Sequence, residues 1–567
     1  MRILKHRYLI LIFLIALFVR LYGINWDQGQ HLHPDERFLT MVSTDARIPS
    51  SISEYLDPAR SLLNPYNIGF DFYVYGTLPV TLVKSAAASM NIDNYYDITL
   101  VGRAASALAD VGVVIILYKL ILLWERKYRL DIRIKYLAAF LYAVTVFSIQ
   151  HAHFFTVDSF LNLFVFASVY FALVFYYSKS FVPLSLSAMF FGFAIGSKLS
   201  AVFVLPVILG LVMIAFLPLM RKRNFCAIAQ KLLVFFIISY VVFRFADPHA
   251  FASSNMLDPR LSSKFVAGIR QLQALSSPDV WYPPGVQWIN KQIIVFPLRN
   301  IAMFGLGPVY FATVFAGIVL LLKKLNPFTR DALRNHRDLI LIAAWIISFF
   351  FYQATQFGMT MRYFYFLYPV FAVLGAYALV VLWKRSRIVF GLVLVGVLLW
   401  PASFISIYSR PHSRVSASEW IYTIVPDGAV IATEHWDDGL PLSVENSEGK
   451  QFEIHQLPVF DQDTEEKWDS MNKIIGAADY YILSSNRGYG SIMSVPDRYP
   501  KMSRFYTDLF AGHTGFRLVK EFTSYPAFPP LCSALHVKCY EFPDQWAEEA
   551  FTVYDHPRVL IYKKIHL

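Results

Sequence analysis

The first residues able to do chemistry stand just after an apolar N-terminal run. They are Trp26-Asp27-Gln28, then His31-Leu-His-Pro-Asp-Glu-Arg37. Pro34 disfavours the helical region for His33 and itself suits a first helical turn, so Asp35 and Glu36 are expected at a helix N-terminus. A carboxylate there could take a proton from an acceptor hydroxyl or bind a cation. The plain alternative is that acids sit there only because the helix dipole favours them. Further polar groups recur at the ends of apolar stretches: Gly102-Arg103 with Asp110 two turns on, His151-Ala-His153 leading to Asp158, Gly196-Ser-Lys198, Arg244 with Asp247-Pro-His249, and Thr360-Met-Arg-Tyr363. Arg103, Lys198, Arg244 and Arg362 would form a cationic face suited to a phosphate and to the charge that develops on a phosphate leaving group. Each also has a structural reading. Arg103 and Arg362 could snorkel to an interface, and Lys198 could simply neutralise Asp158. The His151/His153 pair lacks the regular spacing of a zinc site and reads as interfacial, so no metal ligands are assigned.

The elements that must position these residues are membrane helices. Of 567 residues, 56% are hydrophobic and only 16% charged, with 50 Phe and 34 Tyr; a soluble domain carries about 25% charged residues. Stretches of a length to cross a bilayer fall at 8–24, 101–123, 134–150, 157–177, 181–197, 199–219, 231–246, 306–323, 338–357, 363–384 and 387–406, about eleven in all. The N-terminal run lacks a small-residue cleavage site and reads as an uncleaved first span. Basic clusters then alternate: Arg2, Lys5 and Arg7; Glu125-Arg-Lys-Tyr-Arg129; Arg221-Lys-Arg223; Lys323-Lys324 with Arg330, Arg334 and Arg337; and Lys384-Arg-Ser-Arg387. Placing them inside puts the N-terminus in the cytoplasm and every reactive-looking group outside. The net charge of +11 is accounted for in this way, which excludes nucleic acid as a partner. Three long segments lie outside: 25–100, 247–305, and 407–567. The last is a mixed α/β domain, with a helix near Ala417–Ile424 and strands near 429–432 and 480–483. Of the three cysteines, Cys226 falls in a cytoplasmic loop, while Cys532 and Cys539 lie where a disulfide would survive. No internal repeat or low-complexity tract is present.

Over most of its length the chain resembles the lipid-carrier-dependent glycosyltransferases of the large integral-membrane (GT-C) superfamily, especially bacterial relatives of protein O-mannosyltransferases. The resemblance rests on His33-Pro-Asp-Glu36, Tyr75-Gly-Thr-Leu-Pro79, Gly102-Arg103, Thr156-Val-Asp158, Gly196-Ser-Lys198 and Met361-Arg-Tyr363 with Tyr368-Pro369. In the outer domain it rests on Ser413–Trp420, Glu434-His-Trp-Asp-Asp438 and Val553-Tyr-Asp-His-Pro557. It implies an α-helical polytopic membrane protein (GT-C-like, 1–406) with a C-terminal extracytoplasmic mixed α/β domain (407–567). The activity implied is inverting transfer of a sugar, hexosyl or pentosyl, from a polyprenyl-phosphate carrier to a glycolipid, polysaccharide or protein outside the cytoplasm. Asp35 would be the base and Glu36 would orient it or the acceptor. Arg103, Lys198 and Arg362 would hold the donor phosphate. His33, His153, Asp158, Trp436 and Asp437 would support the site or bind acceptor. No cofactor is firmly implied beyond the lipid-linked donor, although a divalent cation would suit the carboxylates. Eukaryotic protein O-mannosyltransferases carry a differently built lumenal domain, so a protein acceptor does not follow. Trp436-Asp437-Asp438 instead resembles the Trp-Trp-Asp acceptor motif of oligosaccharyltransferases, which keeps en bloc oligosaccharide transfer open. A transporter or flippase using Asp110, Asp158 and Lys198 is the non-enzyme alternative; its ionisable groups would be expected nearer the midplane and within an internal repeat.

Overall fold

The computed structural model describes residues 2–216, 222–325, 329–445, 447 and 449–565. Among these, eight helices are long and apolar enough to cross a bilayer: Tyr95–Tyr128, Val157–Ser178, Leu199–Phe216, Cys226–Ala246, Pro308–Leu325, Arg337–Ala354, Met361–Arg385 and Arg387–Ile405. The protein is therefore a multi-pass membrane protein. The other three expected spans fall on different kinds of helix. Arg2–Leu21 carries Arg20 near its end, and Phe181–Ile195 is short. The stretch 134–150 is broken into Arg133–Ala143 and Val146–Ala152. The break falls at Thr145, whose backbone is extended and whose hydroxyl donates back to the Leu141 carbonyl at 2.8 Å. That local bond competes with continuing the helix. Arg221 and residues 217–219, which belong to an expected basic loop and span end, lie outside the described residues.

Arg20 and Asp110 pair at 2.6 Å with neither side chain exposed. The Tyr142 and Tyr365 hydroxyls both donate to Asp110 at 2.5 Å. This closed cluster ties the first helix to three others and leaves Asp110 no open path to solvent. At one end of the bundle the Tyr177 hydroxyl and the Trp124 indole N–H donate to Asp338. The opposite end carries the outer loops and the C-terminal domain.

Among its described residues that domain has seven strands: β1 Val430–Glu434, β2 Glu453–Leu457, β3 Tyr480–Leu483, β4 Phe516–Phe522, β5 Ala527–Phe528, β6 Tyr540–Glu541 and β7 Val559–Lys564. Five form a mixed sheet in the order β2-β1-β3-β7-β4, parallel across β2-β1-β3 and antiparallel beyond. All four residues of β3 are buried, as a strand covered on both faces requires. The expected helix is observed at Ser413–Ile424, and both expected strand regions are strands. Cys532 and Cys539 form a disulfide, and Cys226 is a free, exposed cysteine near the start of the helix Lys222–Ala246. The domain grips the bundle by polar contacts. Arg37 reaches Asp438 at 2.6 Å, and Gln150 donates to the Phe551 carbonyl at 2.7 Å.

Candidate active site

The helix Pro34–Asp45 begins as the sequence predicts. Pro34 occupies its first position, and His33 caps it by accepting the Glu36 N–H through Nδ1. The ring must be neutral to accept, and burial pushes its pKa down to about 4, Arg362 and Arg103 adding to the effect against the opposing pull of Asp35 and Asp555. His33 is sandwiched between Phe154 and Tyr554, with ring centroids 4.5 and 4.2 Å away. The cap fixes where Asp35 and Glu36 point, and the two carboxylates go to different places.

Asp35 pairs with Arg362, which links it to Asp158 and through Asp158 to Lys198. Arg362 Nη1 donates to Asp35, while Arg362 Nε donates to Asp158 Oδ2 at 2.7 Å. Lys198 Nζ contacts Asp158 Oδ1 at 2.8 Å. Asp158 therefore anchors both cations and is nearly buried, whereas Asp35 is 30% exposed, Arg362 20% and Lys198 18%. A guanidinium has five N–H donors and an ammonium three. Arg362 and Lys198 therefore keep donors for a further anion. Burial works to raise the Asp35 pKa, but Arg362 and then His33 outweigh it and hold the carboxyl below its usual range. Asp35 is thus ionised throughout the neutral range.

Two loops set the height of Lys198. Gly76 N–H donates to the Ser197 carbonyl at 3.0 Å, and Leu78 N–H donates to the Gly196 carbonyl at 3.1 Å. A Cβ on Gly76 would stand 2.0 Å from the Gly196 oxygen, so only glycine permits this approach. The Thr77 hydroxyl then donates to Asp247 at 2.7 Å, which brings three sequence motifs into one cluster. Arg362 is placed from the other side. Glu548 of the C-terminal domain accepts the Met361 N–H at 2.9 Å and the Thr360 hydroxyl at 2.8 Å, bracing the turn that carries it.

Three expected site residues lie elsewhere. Arg103 spends all five N–H donors on Asp27, Glu36 and the Ile24 carbonyl, at distances of 2.5–3.0 Å. It has none left for a donor phosphate, and its expected role is corrected to a structural one. Glu36 is fully buried, bound by Arg103 and by the Phe155 N–H at 2.7 Å, so it neither touches Asp35's partners nor faces an acceptor. Asp27, in the same cluster, is pulled down to about 2 by Arg103 despite its burial. His153 is closed as well: its nitrogens contact the Ile149 and Tyr22 carbonyls, and its ring stacks on Tyr408 at 3.8 Å. Arg244 folds the second outer loop by donating to the Ser253 and Asn255 carbonyls, apart from the site.

In the outer domain, Asp437 is bound by Arg414 and Ser485, and Asp438 by Arg414 and Arg37. Both oxygens of Asp437 are thus engaged within the C-terminal domain. Trp436 is 42% exposed and adopts φ +75°. Its carbonyl accepts Arg487 Nη1 at 2.7 Å. Sequence reasoning missed Glu548, Arg487, Tyr282 and Tyr554; of these, Tyr554 alone lay in a segment singled out, Val553–Pro557.

Among the described residues no group of three His, Cys, Asp or Glu side chains gathers as a metal set. The two carboxylates of the site already face a guanidinium and an ammonium.

The sequence matches no protein-family model and no curated protein. In structure the chain is similar to the oligosaccharyltransferase of Archaeoglobus fulgidus. The apo form gives a TM-score of 0.54 at 14% identity, covering 95% of this chain and 74% of that one. The same organism's oligosaccharyltransferase AglB, in complex with an inhibitory peptide and a dolichol-phosphate, gives 0.52 at 14% identity, covering 99% and 89%. ArnT from Cupriavidus metallidurans bound to undecaprenyl phosphate gives 0.43 at 13% identity, covering 87% and 95%. The chain thus has the fold of the Archaeoglobus fulgidus oligosaccharyltransferase.

Proposed function

We propose that this protein transfers a hexosyl or pentosyl group from a polyprenyl-phosphate carrier to an extracytoplasmic acceptor, with inversion at the anomeric carbon. The observation that carries the reading is the accessible, ionised Asp35 paired with Arg362, which together with Lys198 is anchored on Asp158 while both cations keep unused N–H donors. On this reading the donor phosphate docks on Lys198 and Arg362. Arg362 then turns from Asp35 to the phosphate and frees the carboxylate. The acceptor oxygen bonds to the anomeric carbon as its proton passes to Asp35. The bond from that carbon to the phosphate oxygen breaks, and its electron pair leaves with polyprenyl phosphate. The cations stabilise the added negative charge, and a preorganised donor of this kind is worth about 10²–10³ in rate.

AglB bound to a dolichol-phosphate supports a lipid-phosphate ligand on this fold. No step is routed through a metal. The charge alternation supports a cytoplasmic N-terminus, a transferase bundle at 1–406 and an extracytoplasmic domain at 407–567. Near-complete coverage by an oligosaccharyltransferase fold supports a second reading, en bloc oligosaccharide transfer. The test is incubation of the purified protein, with membrane extract as acceptor source, with labelled sugars on polyprenyl monophosphate and, separately, labelled oligosaccharide on polyprenyl diphosphate. Transfer from the monophosphate alone is the expected result. Transfer from the diphosphate oligosaccharide alone establishes the second reading, and transfer from neither removes both.

A further inference from the structure

Where the C-terminal domain meets the membrane bundle, aromatic side chains from both gather on the side of Asp35 and its partners. The Trp436 and Tyr282 rings meet edge to face, with centroids 6.0 Å apart. Tyr363 is 44% exposed, and Lys198 Nζ stands 5.9 Å from its ring. Arg487 lies over Tyr554 at 5.9 Å. The charge of Asp35 bears on the phenols of Tyr75, Tyr282 and Tyr554, all of which are raised, first by burial and then by charges that include this carboxylate. All five rings are at least partly exposed. A Tyr or Trp ring offers a ligand an apolar face and, where no protein group takes it, a polar atom at its edge. Here the hydroxyls of Tyr75, Tyr282, Tyr363 and Tyr554 and the Trp436 indole N–H have no hydrogen-bond partner among the described residues. The charged groups of the cleft wall are engaged: Asp437 and Asp438 by arginines, and Arg487 by Glu549 and the Trp436 carbonyl. The ligand this wall suits has apolar faces for the rings and several hydroxyls for the phenols, with no net charge to be read.

We infer that this cleft is a saccharide subsite and that the acceptor is a glycan, one sugar ring lying against Trp436 and Tyr282 with a hydroxyl presented to Asp35. The inference rests on the transferase reading above for the fate of that hydroxyl, but saccharide binding itself does not. A pyranose ring offers C–H groups to an aromatic face and hydroxyls at its edge. A peptide read through a cationic side chain at Asp437 or Asp438 would need the carboxylate oxygens that Arg414, Arg37 and Ser485 already bond. The positive φ of Trp436 fits the same role. A bulky aromatic in the left-handed region is strained, and such strain collects where a side chain must be aimed at a ligand.

The experiment measures binding of an uncharged oligohexose to the full-length protein in detergent, without donor, by saturation-transfer NMR titration, against a serine- and threonine-rich peptide. The variants are Trp436→Asn, because asparagine tolerates positive φ, and Tyr282→Leu. The expected result is saccharide binding in preference to peptide, weakened about tenfold by each variant, with melting temperatures at or above that of the native protein for Trp436→Asn. Absence of saccharide binding, or binding unchanged in both variants, overturns the inference. Saccharide binding by a protein that transfers no sugar keeps the subsite and removes the transferase. Transfer to peptide without saccharide binding keeps the transferase and removes the subsite.

Discussion

Replacing Glu548 by glutamine should impair donor use from the far side of a domain boundary. The Glu548 side chain leaves the C-terminal domain and accepts the Met361 N–H on both oxygens, at 3.1 and 2.9 Å, and the Thr360 hydroxyl on one, at 2.8 Å. Glutamine keeps the oxygen that takes the hydroxyl and the 3.1 Å bond from the Met361 N–H, but replaces the nearer acceptor with an NH2 donor. That buried NH2 faces an N–H instead of an acceptor, which costs about 1–3 kcal/mol. If the loss falls on the placement of Arg362, kcat/KM for donor drops about ten- to hundredfold. Thr360→Val removes the hydroxyl alone and should cost about tenfold or less. The pH dependence separates this from a folding defect. Burial raises the Glu548 carboxyl from its ordinary 4.5 to about 7, against the bonds from Thr360 and Met361. The folded protein therefore holds a proton that the unfolded chain releases, so stability from this group falls as pH rises from about 4.5 to 7. Donor binding should move the other way, because the ionised carboxylate is the better acceptor for the Arg362 turn. In steady-state assays with a labelled polyprenyl-phosphate sugar, the native enzyme should show donor KM falling through pH 7. Glu548→Gln should lack that limb. A variant with native KM and the limb intact refutes the coupling.

Three further outcomes are expected. Arg103→Lys cannot supply five donors to Asp27, Glu36 and Ile24, so it should cost about 3–5 kcal/mol, read as a lower melting temperature, with donor KM unchanged in the protein that folds. A raised KM at native stability would instead return Arg103 to the donor site. Lys198→Met keeps the aliphatic stem and removes a charge-assisted donor worth about 1.5–3 kcal/mol, so donor KM should rise about ten- to hundredfold. Cys226 is exposed and unpaired while the other two cysteines are joined. A membrane-impermeant maleimide should label it in sealed right-side-out vesicles only after permeabilisation; labelling of intact vesicles would invert the topology.

Much of the bundle was legible because lipid imposes length and composition on the helices that cross it. The helix start at Pro34 was legible for a local reason: proline and two acids define it within four residues. The common sidedness of Asp35, Asp158, Lys198 and Arg362 was also readable, since each stands at a span end. What sequence cannot report is whether a guanidinium is open or saturated. Arg103 and Arg362 look alike in the chain, yet one spends every donor on partners 67 to 79 residues away and the other does not. The split at Thr145 was hidden because the apolar run continues through it, and a side-chain bond to Leu141 makes the difference. Glu548, Arg487 and Tyr282 sit in segments without periodicity or motif. Their relation to Asp35 exists only after the outer domain docks.

The central claim is that Asp35 takes the acceptor's proton, and Asp35→Asn tests it most directly. The change keeps the shape and removes the charge; its bond to Arg362 is partly exposed, so the melting temperature should barely move. Transfer of label from a polyprenyl-phosphate sugar should fall about 10²–10⁴-fold, the usual contribution of a general base. Undiminished transfer by a folded Asp35→Asn protein would contradict the claim.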